Sequence, residues 1–315
     1  MLFIAGLMGL FAVGAAAMVD FEDDIDDDAQ DEAESTTHVD EASTEKSDLA
    51  TYFGNENVSG ISGTPDDDSI VADQQTDWIA GYAGDDAITG HQGADDINGY
   101  EGDDAIYAGD GNDRIRGEDG DDLIFGEDGD DTLIGGNNDD TLFGGDGDDD
   151  LNGSQGDDNL FGGAGNDKLS GGLNDDTLEG GAGQDRLFGG YGNDTLDGVT
   201  GETSPEKDFL NGGGGDDTII AGAGDVVSLG DGEDQVFLQS QNGLGQSTTI
   251  TDFDPNQDRI FLYWESDTPD DPTLTFESDS AGNGTLRADG EVIAVLNGVE
   301  SFDPALVAVL RPDTG

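Results

Sequence analysis

From Gly63 to Phe237 the chain keeps a single nine-residue register, and a register held that long leaves few folds open. Fifteen consecutive blocks run without a gap to Asp197, among them GYAGDDAIT (81–89), GEDGDDTLI (126–134), GGAGNDKLS (162–170) and GGYGNDTLD (189–197). A sixteenth, 198–211, carries five extra residues around Ser204-Pro205, and it is followed by 212–220, an eight-residue block 221–228, and 229–237. Position six is Asp in all nineteen blocks, and position eight is Ile, Leu or Val in all nineteen. A nine-residue unit cannot bury its one aliphatic side chain alone, so the blocks must stack on one another.

Composition alone would suggest disorder: 75 acidic side chains against 9 basic ones, a formal charge of −66, and 33% hydrophobic residues. The fixed register decides against that for the repeats, because a disordered chain has no use for register. The charge excludes nucleic acid as a partner, since phosphate would be repelled, and argues against an anionic membrane surface. Cations are what such a chain attracts. Cysteine is absent, so neither disulfides nor thiolate chemistry is available. His38 and His91 are far apart in sequence, which leaves no histidine pair for zinc or catalysis.

Position four is Gly in most blocks, and Asn at Asn138 and Asn174. These residue types best tolerate positive φ. The first six positions therefore read as a tight turn with exposed carbonyls. The last three read as a short strand with position eight pointing inward.

These blocks resemble the repeats-in-toxin (haemolysin-type) nonapeptide G-G-x-G-x-D-x-U-x, a calcium-binding repeat. The resemblance implies an all-β parallel β-roll in which two blocks make one coil and calcium sits between stacked turns. It assigns as metal ligands the position-six carboxylates Asp86, Asp95, Asp104, Asp113, Asp122, Asp131, Asp140, Asp149, Asp158, Asp167, Asp176, Asp185, Asp194 and Asp217. With them go the turn glycines Gly84, Gly102, Gly111, Gly120, Gly129, Gly147, Gly156, Gly165, Gly183, Gly192 and Gly215. Calcium wants six to eight oxygen ligands, and carboxylates with carbonyls supply them. Bare carboxylates stacked about 4.8 Å apart would repel by roughly 1 kcal/mol in water and about 3–4 at an effective dielectric of 20. Metal is therefore expected to be part of the folding free energy, with roughly a dozen ions bound. Thr64, Asp66, Asp73 and Gln75 replace glycines in the first two blocks, so those sites are expected to be poor, and 198–211 should distort one edge.

Outside the repeats, residues 1–19 (MLFIAGLMGLFAVGAAAMV) carry no charged side chain and fit either a single membrane span or a cleaved export signal. Residues 20–50 read as an acidic, solvated linker, and 51–62 as a degenerate first turn of a roll that spans 51–237. Residues 238–315 read as a β-rich cap with strands near 248–253, 259–264, 273–278, 291–296 and 306–310, and a hairpin at Asp289-Gly290. TITDFDPNQDRIFL (249–262) resembles the segment that follows such repeats in type I secretion substrates.

At position nine, Tyr107, Phe125, Phe143 and Phe161 fall eighteen apart and should stack as a stabilising ladder on one outer face. Lys168, Arg114, Arg116 and Arg186 should point outward and soften the negative surface. Residues 238–315 contain no His, no Cys, no His-Glu-x-x-His and no Gly-x-Ser-x-Gly. The expected function is a non-enzymatic, extracellular or surface-held calcium-binding scaffold with an unknown protein or surface partner. The alternative is an accessory module of a secreted enzyme or toxin of the same repeat family.

Overall fold

A computed structural model describes residues 59–201, 206–240, 247–264 and 271–311. Consecutive blocks place their strands alternately on two sheets, so residues eighteen apart pair in parallel. Leu142, for example, lies between Ile124 and Leu160. The first sheet runs through fourteen strands from Ser59–Ser62, and the second through twelve from Ser69–Val71. Between them the position-eight side chains form one file from Ile70 to Val236, each at most 2% exposed. The parallel β-roll implied by the repeats is the fold.

The strands are longer than the sequence suggests. Thr141–Asp146 and Asn159–Ala164 are typical, covering positions seven, eight and nine and then one, two and three of the next block. Only positions four to six turn. Glycine-rich positions one to three read as turn, but positions two and three pair in the parallel ladder, and position one between the paired residues is buried beneath the sheet. Position two, not only position four, takes positive φ: glycines there reach φ 120 at Gly145 and 121 at Gly190. Tyr82, His91, Tyr100, Glu118 and Glu127 occupy the same position with φ between 75 and 87, each at a steric cost.

On the second sheet the rings of Tyr107, Phe125, Phe143 and Phe161 stack with centroids 4.7–4.9 Å apart, the ladder expected from position nine. The basic side chains are on the outside: Lys168 meets Asp150 at 2.8 Å and Arg116 meets Asp96 at 3.2 Å, while Arg186 lies over the Phe209 ring.

Both sheets continue past Phe237. Arg259–Trp264 pairs in parallel with Gln235–Ser240, and Thr248–Ile250 joins Val226–Val227. Glu291–Leu296 then extends the first sheet and Ala308–Leu310 the second. The expected hairpin forms at Asp289 (φ 50) and Gly290 (φ 89), the positive-φ pair that matches the twist of a two-residue connection. It brings in an antiparallel strand, Gly284–Ala288, that the sequence reading missed, and Leu274–Ser278 closes that edge. Leu286, Ala294, Leu296 and Val299 finish the hydrophobic file at this end. Among the described residues no helix is long and apolar enough to cross a membrane. The expected span at 1–19, the linker 20–50 and the beginning of the first turn lie outside the described residues.

Candidate metal centre

Each turn delivers its position-six aspartate to the space between coils. One carboxylate oxygen, Oδ1, accepts the backbone N–H of the position-six residue one coil earlier: Asp122 N–H to Asp140 at 2.9 Å, Asp131 N–H to Asp149 at 2.8 Å. The links form two rows. One runs from Asp68 through Asp86, Asp104, Asp122, Asp140, Asp158, Asp176, Asp194 and Asp217 to Asp234. The other runs from Asp77 through Asp95, Asp113, Asp131, Asp149, Asp167, Asp185 and Asp208 to Asp225.

The second oxygen is what marks these residues. Oδ2 of Asp86, Asp95, Asp104, Asp113, Asp122, Asp131, Asp140, Asp149, Asp158, Asp167, Asp176, Asp185, Asp194 and Asp217 is buried with no protein donor. All fourteen aspartates expected from the sequence share this state, and Asp234 joins them. Burial is the main cause that pushes their carboxyls up, to about 8 at Asp140 and Asp176, about 7 at Asp122, Asp167 and Asp217, and about 6 at Asp149. The accepted backbone N–H opposes the rise, and neighbouring carboxylates add to it. A row of buried anions with one unsatisfied oxygen each is unfavourable unless a cation or a proton completes it.

The position-one glycine provides the room. A Cβ at Gly144 would lie 2.6 Å from the Gly162 carbonyl oxygen and against Oδ2 of Asp149. At Gly90 it would lie 2.5 Å from the Ala108 carbonyl and 2.7 Å from Oδ2 of Asp95. The orphaned carboxylate oxygen and a backbone carbonyl of the next coil thus face the same side-chain-free space. Among the described residues no three acidic or histidine side chains converge. A metal here would take a few carboxylate oxygens and complete its shell from carbonyls, the hard-oxygen set that suits calcium. All of the turn glycines expected from the sequence, from Gly84 (φ 104) to Gly215 (φ 133), have positive φ. Their role visible in the structure is conformational, and most leave the carbonyl turned toward the next coil's turn, as Gly102 does toward Gly120.

The exceptions have local causes. In the first block Thr64, in place of glycine, donates its amide (2.5 Å) and hydroxyl (3.0 Å) to Oδ2 of Asp68, so that oxygen is already satisfied, as the departure from the motif suggested. In the eight-residue block the Gly222 amide does the same for Asp225 at 2.6 Å. The insertion after Gly198 perturbs less than expected. The strand before it shortens to Thr195–Asp197, yet Asp185 N–H still reaches Asp208 at 2.8 Å and Asp194 N–H reaches Asp217 at 2.9 Å.

Two features escaped the sequence reading. Asp258 extends one row beyond the repeats, accepting from Asp234 N–H at 3.3 Å and Asp254 N–H at 2.7 Å. Its signal was present in Asp258-Arg259-Ile260-Phe261, which keeps the D-x-U-x half of the block. Position five also forms rows, continuous on one edge and partial on the other, where Asp130, Asp148 and Asn166 accept the N–H of Asp148, Asn166 and Gln184 at 2.7–3.1 Å. Along the continuous edge Asp67, Asp85, Asp103, Asp121, Asp139, Asp157 and Asp175 each accept the next coil's position-five N–H at 2.7–3.2 Å. These rows run opposite in direction to the position-six rows. Their signal is the recurrent Asp or Asn at position five, which the nonapeptide motif leaves unspecified.

The profile of the RTX calcium-binding nonapeptide repeat matches six overlapping or adjacent stretches that together cover 62–236. Among curated proteins none matches. Two solved structures with a resemblance are the AlgE6R3 subunit of the Azotobacter vinelandii mannuronan C5-epimerase and the extracellular lipase LipA from Serratia marcescens. The first is 19% identical at a TM-score of 0.16, over 61% of this chain and 81% of that one. The second is 18% identical at 0.18, over 79% of this chain and 39% of that one. Register, fold and profile agree, and the chain belongs to the RTX calcium-binding nonapeptide repeat family.

Proposed function

We propose that this protein is a non-enzymatic scaffold that acts outside the cytoplasm and takes up its folded form on binding extracellular calcium. One observation carries the reading: buried position-six carboxylates, each with an orphaned oxygen, face glycine-lined spaces between coils. Asp86, Asp95, Asp104, Asp113, Asp122, Asp131, Asp140, Asp149, Asp158, Asp167, Asp176, Asp185, Asp194 and Asp217 would hold calcium together with backbone carbonyls, roughly a dozen ions in all. Calcium would supply positive charge where the fold stacks negative charge. The chain's own contribution is the turn geometry that aims one oxygen at a backbone N–H and leaves the other free.

The continuity of the C-terminal strands with both sheets supports a scaffold, because the described strands from Thr248–Ile250 to Ala308–Leu310 extend the roll's two sheets. Export before folding fits this logic, since low cytosolic calcium would leave the carboxylate rows uncompensated. Far-ultraviolet circular dichroism of the full chain in chelator and in roughly millimolar calcium tests the reading. A coil-to-strand change on adding calcium is expected, and equal strand content in both would overturn it. Fractionation of cells and medium, with N-terminal sequencing of the recovered protein, tests the location.

A further inference from the structure

The aromatic ladder on the second sheet stops abruptly. Tyr107 stacks on Phe125 with one face, and the next rung, in register on its other side, is Thr89. Tyr107 is 39% exposed, so a ring-sized step is left open beside it. The neighbouring column, at position two, holds His91, Gly109 and Glu127 on successive strands. Gly109 has no side chain to fill the place between the other two. Together these gaps make a half-open depression of about 420 Å³, within the range of small-ligand sites.

His91 and Glu127 stand at φ 75 and 78, where the same column farther along uses Gly145, Gly163 and Gly181. The rim mixes donors and acceptors: the Gln92 amide donates to Asp110 at 3.2 Å, and Gln74 lines the same wall. No Lys or Arg lines it. An anionic ligand would meet Asp110 and Glu127 unopposed, and a wholly apolar one would leave the amides and carboxylates without partners.

We propose that this depression binds one neutral pyranose ring of a glycan, stacked on the open face of Tyr107 in the vacant ladder rung. A sugar ring offers an apolar C–H face to the tyrosine and hydroxyls that both donate to carboxylates and accept from amides. The site goes beyond the calcium scaffold and needs only that the roll be folded.

The test uses the full calcium-loaded chain with maltotriose, cellotriose and chitotriose, and trigalacturonate as the anionic comparison, read by saturation-transfer NMR and calorimetry. Thr89→Phe fills the rung and extends the ladder, so it should keep the calcium-induced dichroism and weaken sugar binding by about tenfold or more. Tyr107→Leu should weaken it similarly. The site is refuted if no neutral trisaccharide shows transfer, if both variants bind like the parent, or if trigalacturonate binds as tightly as the best neutral sugar. Sugar binding that persists in chelator would leave this site standing and overturn the calcium-folding reading instead.

Discussion

At the scale of single residues the structure separates two kinds of glycine. Position-four and position-two glycines are there for their positive φ, whereas position-one glycines leave space beside a carboxylate. Gly144→Ala should therefore act through the metal space. Its methyl would lie against Asp149 Oδ2 and the Gly162 carbonyl. Asp149→Asn keeps an oxygen to accept the Asp131 N–H but replaces the orphaned oxygen with a donor. Both variants should raise the calcium concentration for half-folding by about threefold or more, measured by dichroism titration. An unchanged midpoint in both would detach these oxygens from the metal. Glu118, exposed at φ 84, makes the opposite case. Glu118→Gly relieves left-handed strain, offset in part by the freedom glycine gains in the unfolded chain, and should stabilise the loaded protein by about 0.5–1 kcal/mol in urea unfolding.

At the scale of elements, the ladder tolerates interruption because its links are made between turns and not along the chain. The fourteen-residue block 198–211 still places Asp208 and Leu210 in register. Deleting residues 202–206 restores a nine-residue block with Gly201, already at φ 88, in position four. The calcium midpoint should stay within about twofold of the parent, since loop length contributes only a slowly varying entropy. A collapse of calcium-induced strand content would show that the insertion itself builds part of the roll. The strands' true length was not legible in the block. Positions one to three look like turn because they are glycine-rich, and only pairing with the next coil makes them strand.

At the scale of the whole molecule, proton and calcium compete for the same oxygens. The folded carboxyls of the fourteen orphaned-oxygen aspartates and Asp234 lie at about 6 to 8, above the ordinary 3.8. The folded state therefore binds more protons than the unfolded one between these values, and the metal-free roll loses stability as pH rises through that window. In chelator, strand content should be gained on acidification from about pH 8 to about pH 5, while the calcium midpoint should rise over the same interval. Dichroism at the two pH values checks both, and a metal-free chain equally unstructured at each would contradict the first.

The sequence by itself determined the inward aliphatic file and the recurrence of an aspartate in every block, because each depends on a period that stacking only repeats. The two-block coil and the aromatic ladder followed once the family resemblance set the stacking at eighteen. The departure of Thr64 from the motif was legible too, but its hydrogen bonds to Asp68 were not. What only the tertiary structure decided depends on which residues meet across eighteen. The position-five rows, continuous on one edge and partial on the other, the reach of the ladder to Asp258, and the open rung where Tyr107 faces Thr89 are properties of coil against coil. A nine-residue motif treats both edges and both faces alike, whereas two blocks per coil make them chemically different surfaces.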